Sequence, residues 1–176
     1  MFKLKEILER DRLIKPGMTV VDLGAAPGGW SQLARPMLGA KGRLIALDVL
    51  AMDPVPDVDF IQGDFREETV LRALESKLQG SKSVDLVLSD MAPNISGVDT
   101  ADQVASIHLA ELALDFARAH LKAGGSMLTK LFQGEGFEAF VKGTRELFDT
   151  VQLRKPKASR PRSREIYLLA RNFHVV

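Results

Sequence analysis

The stretch Thr19-Val20-Val21-Asp22-Leu23-Gly24-Ala25-Ala26-Pro27-Gly28-Gly29-Trp30 reads as a buried β-strand that runs into a glycine-rich turn and then a helix. From Thr19 to Gly24 the chain is β-branched and apolar except at Asp22, the pattern of a strand covered on both faces. Gly24, Gly28 and Gly29 permit close backbone approach to a ligand at the amino end of the next helix, residues 29 to 38. Pro36 sits where an interior proline would kink that helix. A dinucleotide enzyme would show G-x-G-x-x-G at this turn. Here Ala26 and Pro27 replace the second glycine and its neighbour, which argues against a pyrophosphate cradle and against a nicotinamide oxidoreductase.

Outward from this turn, apolar runs of five to eight residues alternate with helical patterns. The further strands expected are Arg43 to Asp48, Val58 to Gln62, Val84 to Asp90, Ser126 to Phe132, Thr150 to Arg154 and Glu165 to Ala170. Helices are expected from about Phe2 to Arg10, Glu67 to Leu78, Ala101 to Leu121 and Phe137 to Phe148, with Gly124 and Gly125 marking the end of the third. This order implies a doubly wound α/β fold with helices on both faces of the sheet, and a ligand beyond the carboxyl ends of the central strands. We read residues 1–176 as a single domain, with residues 1–15 an amino-terminal helix and its connection.

Composition narrows the chemistry. The 176 residues include no cysteine, which excludes disulfides, thiolate-bound zinc, iron–sulfur clusters and a cysteine nucleophile, and points to a reducing, cytoplasmic setting. No apolar run reaches membrane-spanning length, no secretory leader is evident, and no histidine has a partner at metal-ligand spacing. His108, His120 and His174 read as surface or internally satisfied residues. The net charge of +1 hides a basic segment of six cations without an acid: Arg154, Lys155, Lys157, Arg160, Arg162 and Arg164. Removing those six charges leaves the rest of the chain at −5, so a local polyanion contact is expected rather than diffuse nucleic-acid binding.

Two acids stand at strand ends beyond the glycine turn. Asp48, 26 positions after Asp22, is placed to accept from ribose hydroxyls, and Asp64 from an adenine amino group. Either alone is a weak signal, since strand-end aspartates often cap helices or hold turns. Together with the turn they describe a nucleoside pocket without a diphosphate site. That combination resembles the S-adenosylmethionine-dependent methyltransferases. Asp90, which ends the fourth strand in Ser89-Asp90-Met91-Ala92-Pro93-Asn94, then lies where a carboxylate could approach the reacting end of the cofactor.

Residue types restrict the acceptor. Methylation of a pyrimidine carbon 5 needs a cysteine nucleophile, and amino-directed base methyltransferases carry an Asn/Asp-Pro-Pro-aromatic turn where this chain has Asp90-Met91-Ala92-Pro93. Oxygen, some nitrogen acceptors or a small molecule remain. A hydroxyl acceptor needs a base within about 3 Å. Lys130 interrupts the apolar strand Ser126 to Phe132 near its carboxyl end, a costly place for a lysine unless it is paired or functional. Lys3 lies between Phe2 and Leu4, and Glu165 opens an apolar strand directly after the basic segment.

Lys3, Asp90, Lys130 and Glu165, together with Asp22–Trp30, Ser89–Asn94, Lys130–Phe137 and Ser163–Tyr167, closely resemble the FtsJ-type ribosomal RNA 2'-O-ribose methyltransferases. The resemblance runs from Phe2 through Ala170. It implies a Rossmann-like S-adenosylmethionine methyltransferase fold, with a seven-stranded, mostly parallel sheet whose last strand is antiparallel. It further implies methylation of a uridine ribose in large-subunit rRNA, within the ribosomal subunit, by a protein we expect to be a monomer. Lys3, Asp90, Lys130 and Glu165 match the family's catalytic positions, with Lys130 the leading candidate for general base. Gly28, Trp30, Asp48, Asp64 and Asp90 match its cofactor-contacting positions, and Gly24, Pro27 and Gly29 complete that loop. Ordinary lysine is almost wholly protonated at neutral pH, so this role needs cationic neighbours or desolvation by bound RNA to favour the free amine. The basic segment becomes the expected grip on RNA phosphates. Relatives carry a basic extension ahead of the Phe2-Lys3-Leu4 segment, which here directly follows Met1. Two other readings keep the fold: a methyltransferase of small molecules or proteins, and a noncatalytic RNA-binding or ribosome-assembly module.

Overall fold

In a computed structural model that describes residues 2–26, 28–91, 99–157 and 164–174, strand β1 (Thr19–Leu23) lies inside the sheet. It pairs with β2 (Arg43–Asp48) on one side and β4 (Val84–Ser89) on the other. β3 (Val58–Gln62) lies beyond β2, and β5 (Leu121–Phe132) beyond β4. β7 (Glu165–Phe173) inserts between β5 and β6 (Phe148–Arg154) and runs antiparallel to both, which gives the spatial order 3-2-1-4-5-7-6. The remaining neighbours are parallel. This is the Rossmann-like, mostly parallel sheet expected from the sequence, with its antiparallel last strand.

Helices cover both faces, which is why the central strands are apolar almost without break. On one face α1 (Phe2–Asp11) and α2 (Gly29–Ala34) pack Leu4, Ile7, Leu8 and Trp30 against Val20, Leu44, Leu86, Leu88, Leu128 and Leu169. On the other, α3 (Glu68–Ser76), α4 (Asp99–His120) and α5 (Phe137–Arg145) pack Leu74, Ala113, Phe116, Ala117 and Phe140 against Val21, Ile45, Val87 and Met127. No helix among the described residues is long and apolar enough to cross a membrane.

Several boundaries depart from expectation, three of them for a clear physical reason. The helix opened by Gly29 ends at Ala34 and passes into a 3-10 turn, Arg35–Leu38, around Pro36, which has no N–H to continue the α-helical ladder. α5 stops at Arg145 because Phe148 is drawn into β6, where it pairs with Phe173 in the core. β5 starts at Leu121, directly after α4, instead of at Ser126. Leu121 pairs with Val84, the chain bulges, and pairing resumes at Leu86 and Ser126. Gly124, with φ of 84°, therefore serves the bulge rather than a helix end.

Candidate functional site

Side-chain alternation decides which residues meet at the carboxyl ends of the central strands. Val20, Leu88 and Leu128 all face α1 and α2. Two residues farther along each chain are Asp22, Asp90 and Lys130, so these share that face. In the antiparallel β7, Lys130 is paired with Tyr167 and Phe132 with Glu165, which puts Tyr167 and Glu165 on the same side. α1 lies over this face and contributes Lys3.

The result is a chain of alternating charges from four distant parts of the sequence. Lys130 Nζ lies 2.8 Å from Asp90 Oδ1 and 4.0 Å from Glu165 Oε1. Lys3 Nζ donates to Glu165 Oε2 at 3.2 Å. The Lys130 side chain is 14% exposed, and those of Lys3, Asp90 and Glu165 lie near 30%. Burial raises the Asp90 carboxyl above the ordinary carboxylate range, and the Lys130 ammonium opposes that rise. Tyr167 lies beneath the chain, buried against Trp30 with ring centroids 5.9 Å apart. Burial, followed by the Asp90 and Glu165 carboxylates, pushes its hydroxyl well above the usual range, so the phenol stays protonated.

Beside this cluster opens a cavity of about 550 Å³. Gly24, Ala26, Asp48, Asp64, Asp90 and His108 are among its lining residues. Asp48 Oδ2 accepts from the Ala26 N–H at 2.8 Å and Oδ1 from the Leu50 N–H at 3.1 Å. These bonds fix the turn and leave further lone pairs on the carboxylate. Asp64 is held by Arg66 through its backbone N–H and guanidinium, at 2.7 to 3.2 Å, which keeps its carboxyl below the ordinary range. Behind the cavity Asp22 is fully buried; Ser31 Oγ donates to its Oδ2 at 2.9 Å, while Oδ1 has no hydrogen-bond partner among the described residues. Burial pushes the Asp22 carboxyl up to about 7; Ser31 opposes this, and Asp90 and Asp48 add to it. Asp48, Asp64 and Asp90 line the cavity against one cation, Arg66, which is paired with Asp64, so the charged part of the lining suits a cationic nucleoside better than a phosphate.

The glycine turn also meets a demand from within the protein. A Cβ on Gly24, whose φ is 78°, would lie 2.8 Å from Met91 N and 2.9 Å from Asp90 C. The close approach that demands glycine there is made by the β4 end itself, tied to β1 by Asp90 N–H donating to Leu23 O at 3.0 Å. Gly28, with φ of 113°, is the N-cap of α2, and Gly29 opens that helix. Trp30 is 8% exposed and packs with Tyr167 in the core, anchoring α2. Pro27 lies outside the described residues.

Of the basic segment, Lys155, Lys157 and Arg164 are exposed, and Arg160 and Arg162 lie outside the described residues. Arg154 differs: its guanidinium makes a two-pronged pair with Asp11 at 2.9 and 3.0 Å and also donates to Gln152. Its Nε and Nη2 donors are committed to acceptors of the protein itself. Sequence reasoning set aside His108, which lines the cavity, and did not single out Arg66, Ser31 or Tyr167. Tyr167 had a signal in its spacing, two residues from Glu165 on one strand. Arg66 and Ser31 had none.

Comparison with known proteins identifies the family. The family model described as FtsJ-like methyltransferase matches residues 1–173. A ribosomal RNA large subunit methyltransferase E of Azoarcus sp. (strain BH72) is 66% identical over 168 residues, covering 96% of this chain and 82% of that protein. The protein of the same name from Dichelobacter nodosus is 60% identical over 173 residues, covering 98% and 82%. Among solved structures, one assigned as a ribosomal RNA methyltransferase from Plasmodium falciparum superposes with a TM-score of 0.87 at 30% identity, covering 98% of this chain and 95% of that one. With a family model spanning nearly its whole length, over a sheet whose carboxyl ends gather Lys3, Asp90, Lys130 and Glu165 beside a carboxylate-walled cavity, the chain belongs to the FtsJ-like methyltransferase family.

Proposed function

We propose that this protein transfers a methyl group from S-adenosylmethionine to the ribose 2'-oxygen of a uridine in large-subunit ribosomal RNA, with Lys130 as general base. The observation that carries this reading is Lys130 itself, a largely buried amine at the carboxyl end of β5, 2.8 Å from a carboxylate that also lines the cavity. The large-subunit rRNA acceptor is supported by the names of relatives at 60% and 66% identity.

The residues lining the cavity fit the cofactor. Asp48 has lone pairs for ribose hydroxyls, Asp64 can accept from an adenine amine, and Asp90 offers negative charge toward a cationic centre. When bound, S-adenosylmethionine supplies an electrophilic methyl group on a sulfonium. As the free amine, which Lys3, desolvation by bound RNA and the sulfonium charge favour against the two carboxylates, Lys130 Nζ takes the proton of the ribose hydroxyl, which is too weak an acid to ionise unaided at neutral pH. Asp90 and Glu165 aim the Lys130 amine, and Lys3 holds Glu165. Lys155, Lys157 and Arg164, exposed on the chain that leads into Glu165, grip phosphates flanking the ribose, and Arg160 and Arg162 are expected to do the same.

The test is to incubate protein, labelled cofactor and ribosomal particles, then map the label by resistance of the RNA to alkali, which a methylated 2'-oxygen confers. Label in large-subunit RNA at one resistant position is expected, with a single-turnover loss of at least about 100-fold for Lys130→Ala. Retention of most activity by Lys130→Arg, with unchanged pH dependence, would defeat the base assignment, because arginine stays protonated.

A further inference from the structure

α1 is tied to the β6–β7 region at three points besides its apolar face. Near its start, Lys3 meets Glu165 at 3.2 Å. One turn on, the Glu6 carboxylate accepts from the Lys157 backbone N–H at 2.9 and 3.2 Å. At its end, Asp11 takes the two-pronged pair with Arg154, and the Asp11 carbonyl accepts from Arg171 at 3.0 Å. The Asp11 and Arg154 side chains are 8% and 15% exposed, so this pair is largely out of water.

The spacing explains why. Leu4, Ile7 and Leu8 form the buried stripe of α1, and Asp11 occupies the next position of the same stripe, i, i+3, i+4, i+7, where an apolar residue would ordinarily continue it. An acid there costs desolvation that an apolar residue would not, and the Asp11–Arg154 pairing offsets that cost while demanding one geometry. Leucine at this position could slide along the sheet; a carboxylate meeting a guanidinium fork cannot.

We infer that Asp11 and Arg154 are positioning residues for methyl transfer: their pair, with the Glu6–Lys157 contact, locks the register of α1 against β6–β7 and so holds Lys3 on Glu165. This rests on the tetrad reading above and goes beyond it by moving Arg154 from the RNA surface to the scaffold of the site.

The experiment is a mutant cycle read as single-turnover methylation of ribosomal particles, alongside cofactor affinity and RNA affinity at several salt concentrations. Asp11→Asn keeps the shape and removes the charge. Glu6→Ala, at a part-exposed contact, serves as the second variant should Asp11→Asn fail to fold by circular dichroism. Either is expected to slow transfer about tenfold in the wild-type background and less than twofold in the Lys3→Ala background, with cofactor affinity unchanged. The same fractional loss in both backgrounds would show a merely structural role and overturn the inference. So would tighter RNA binding by Asp11→Asn with an unslowed rate, which would return Arg154 to the RNA. Lys3→Ala at the wild-type rate would overturn the tetrad reading as well, so the two failures are distinguishable.

Discussion

Asp22 carries a carboxyl that the fold has removed from water, and its consequence is a pH-dependent stability. In the unfolded chain such a group ionises near 3.8; in the folded protein burial raises it to about 7. Between these values the unfolded state has lost the proton and the folded state still binds it, so the contribution of Asp22 to stability is greatest below about pH 4, falls as pH rises toward 7, and levels off above. A displacement of this size is on the order of 4 kcal/mol. Asp22→Asn, which imitates the protonated acid, is therefore expected to melt increasingly above wild type as the buffer moves from pH 4 to pH 8. Parallel melting curves at both ends would count against a buried, proton-binding Asp22. Asp90 and Lys130 were visible in the sequence, the one ending an apolar strand and the other interrupting one, whereas Asp22 stood out only as the polar residue of the first strand. Glu165 was visible too, as the charge that opens the last apolar strand, whereas the Ser31 hydroxyl that holds Asp22 was not, because it reaches its partner only through folding and carries no distinguishing pattern of its own.

Period-two alternation along the strands does much of the work of assembling the site. It puts Asp22, Asp90, Lys130, Tyr167 and Glu165 on the face under α1 and α2, and the parallel β1–β4–β5 register brings the first three to one end of the sheet. The junction of β1 and β4 is correspondingly intolerant. Gly24→Ala would both force an L side chain to a φ of 78° and drive its Cβ into the Asp90–Met91 backbone. We expect a loss of about 2 to 4 kcal/mol in urea unfolding, and a cofactor affinity lowered through displacement of Asp90. A change under about 0.5 kcal/mol would mean that the strand ends part easily. The misplaced start of β5 has a related cause. Gly124-Gly125 looks the same in sequence whether it ends a helix or makes room for a bulge, and only the pairing of Leu121 with Val84 separates the two.

Across the molecule charge is segregated: Asp48, Asp64 and Asp90 line the cavity with Arg66 committed to Asp64, while Lys155, Lys157 and Arg164 lie exposed along the approach to Glu165. Replacing Arg160, Arg162 and Arg164 by alanine should weaken RNA binding and reduce its log–log salt slope by up to about 0.7 to 0.9 for each phosphate no longer neutralised, with cofactor affinity unchanged. An unaltered slope would take the segment out of the interface. The amino-acid sequence by itself determined the seven strands, their alternation with helices, the glycine turn and the identities of Asp48, Asp64, Asp90 and Lys130 as unusual charges, because periodicity and desolvation cost are local properties of the chain. Tertiary structure decided the rest. It set Gly24 against the protein's own backbone, turned Arg154 inward to Asp11 and brought His108 to the cavity wall, since each outcome depends on which distant segment arrives within a few ångströms.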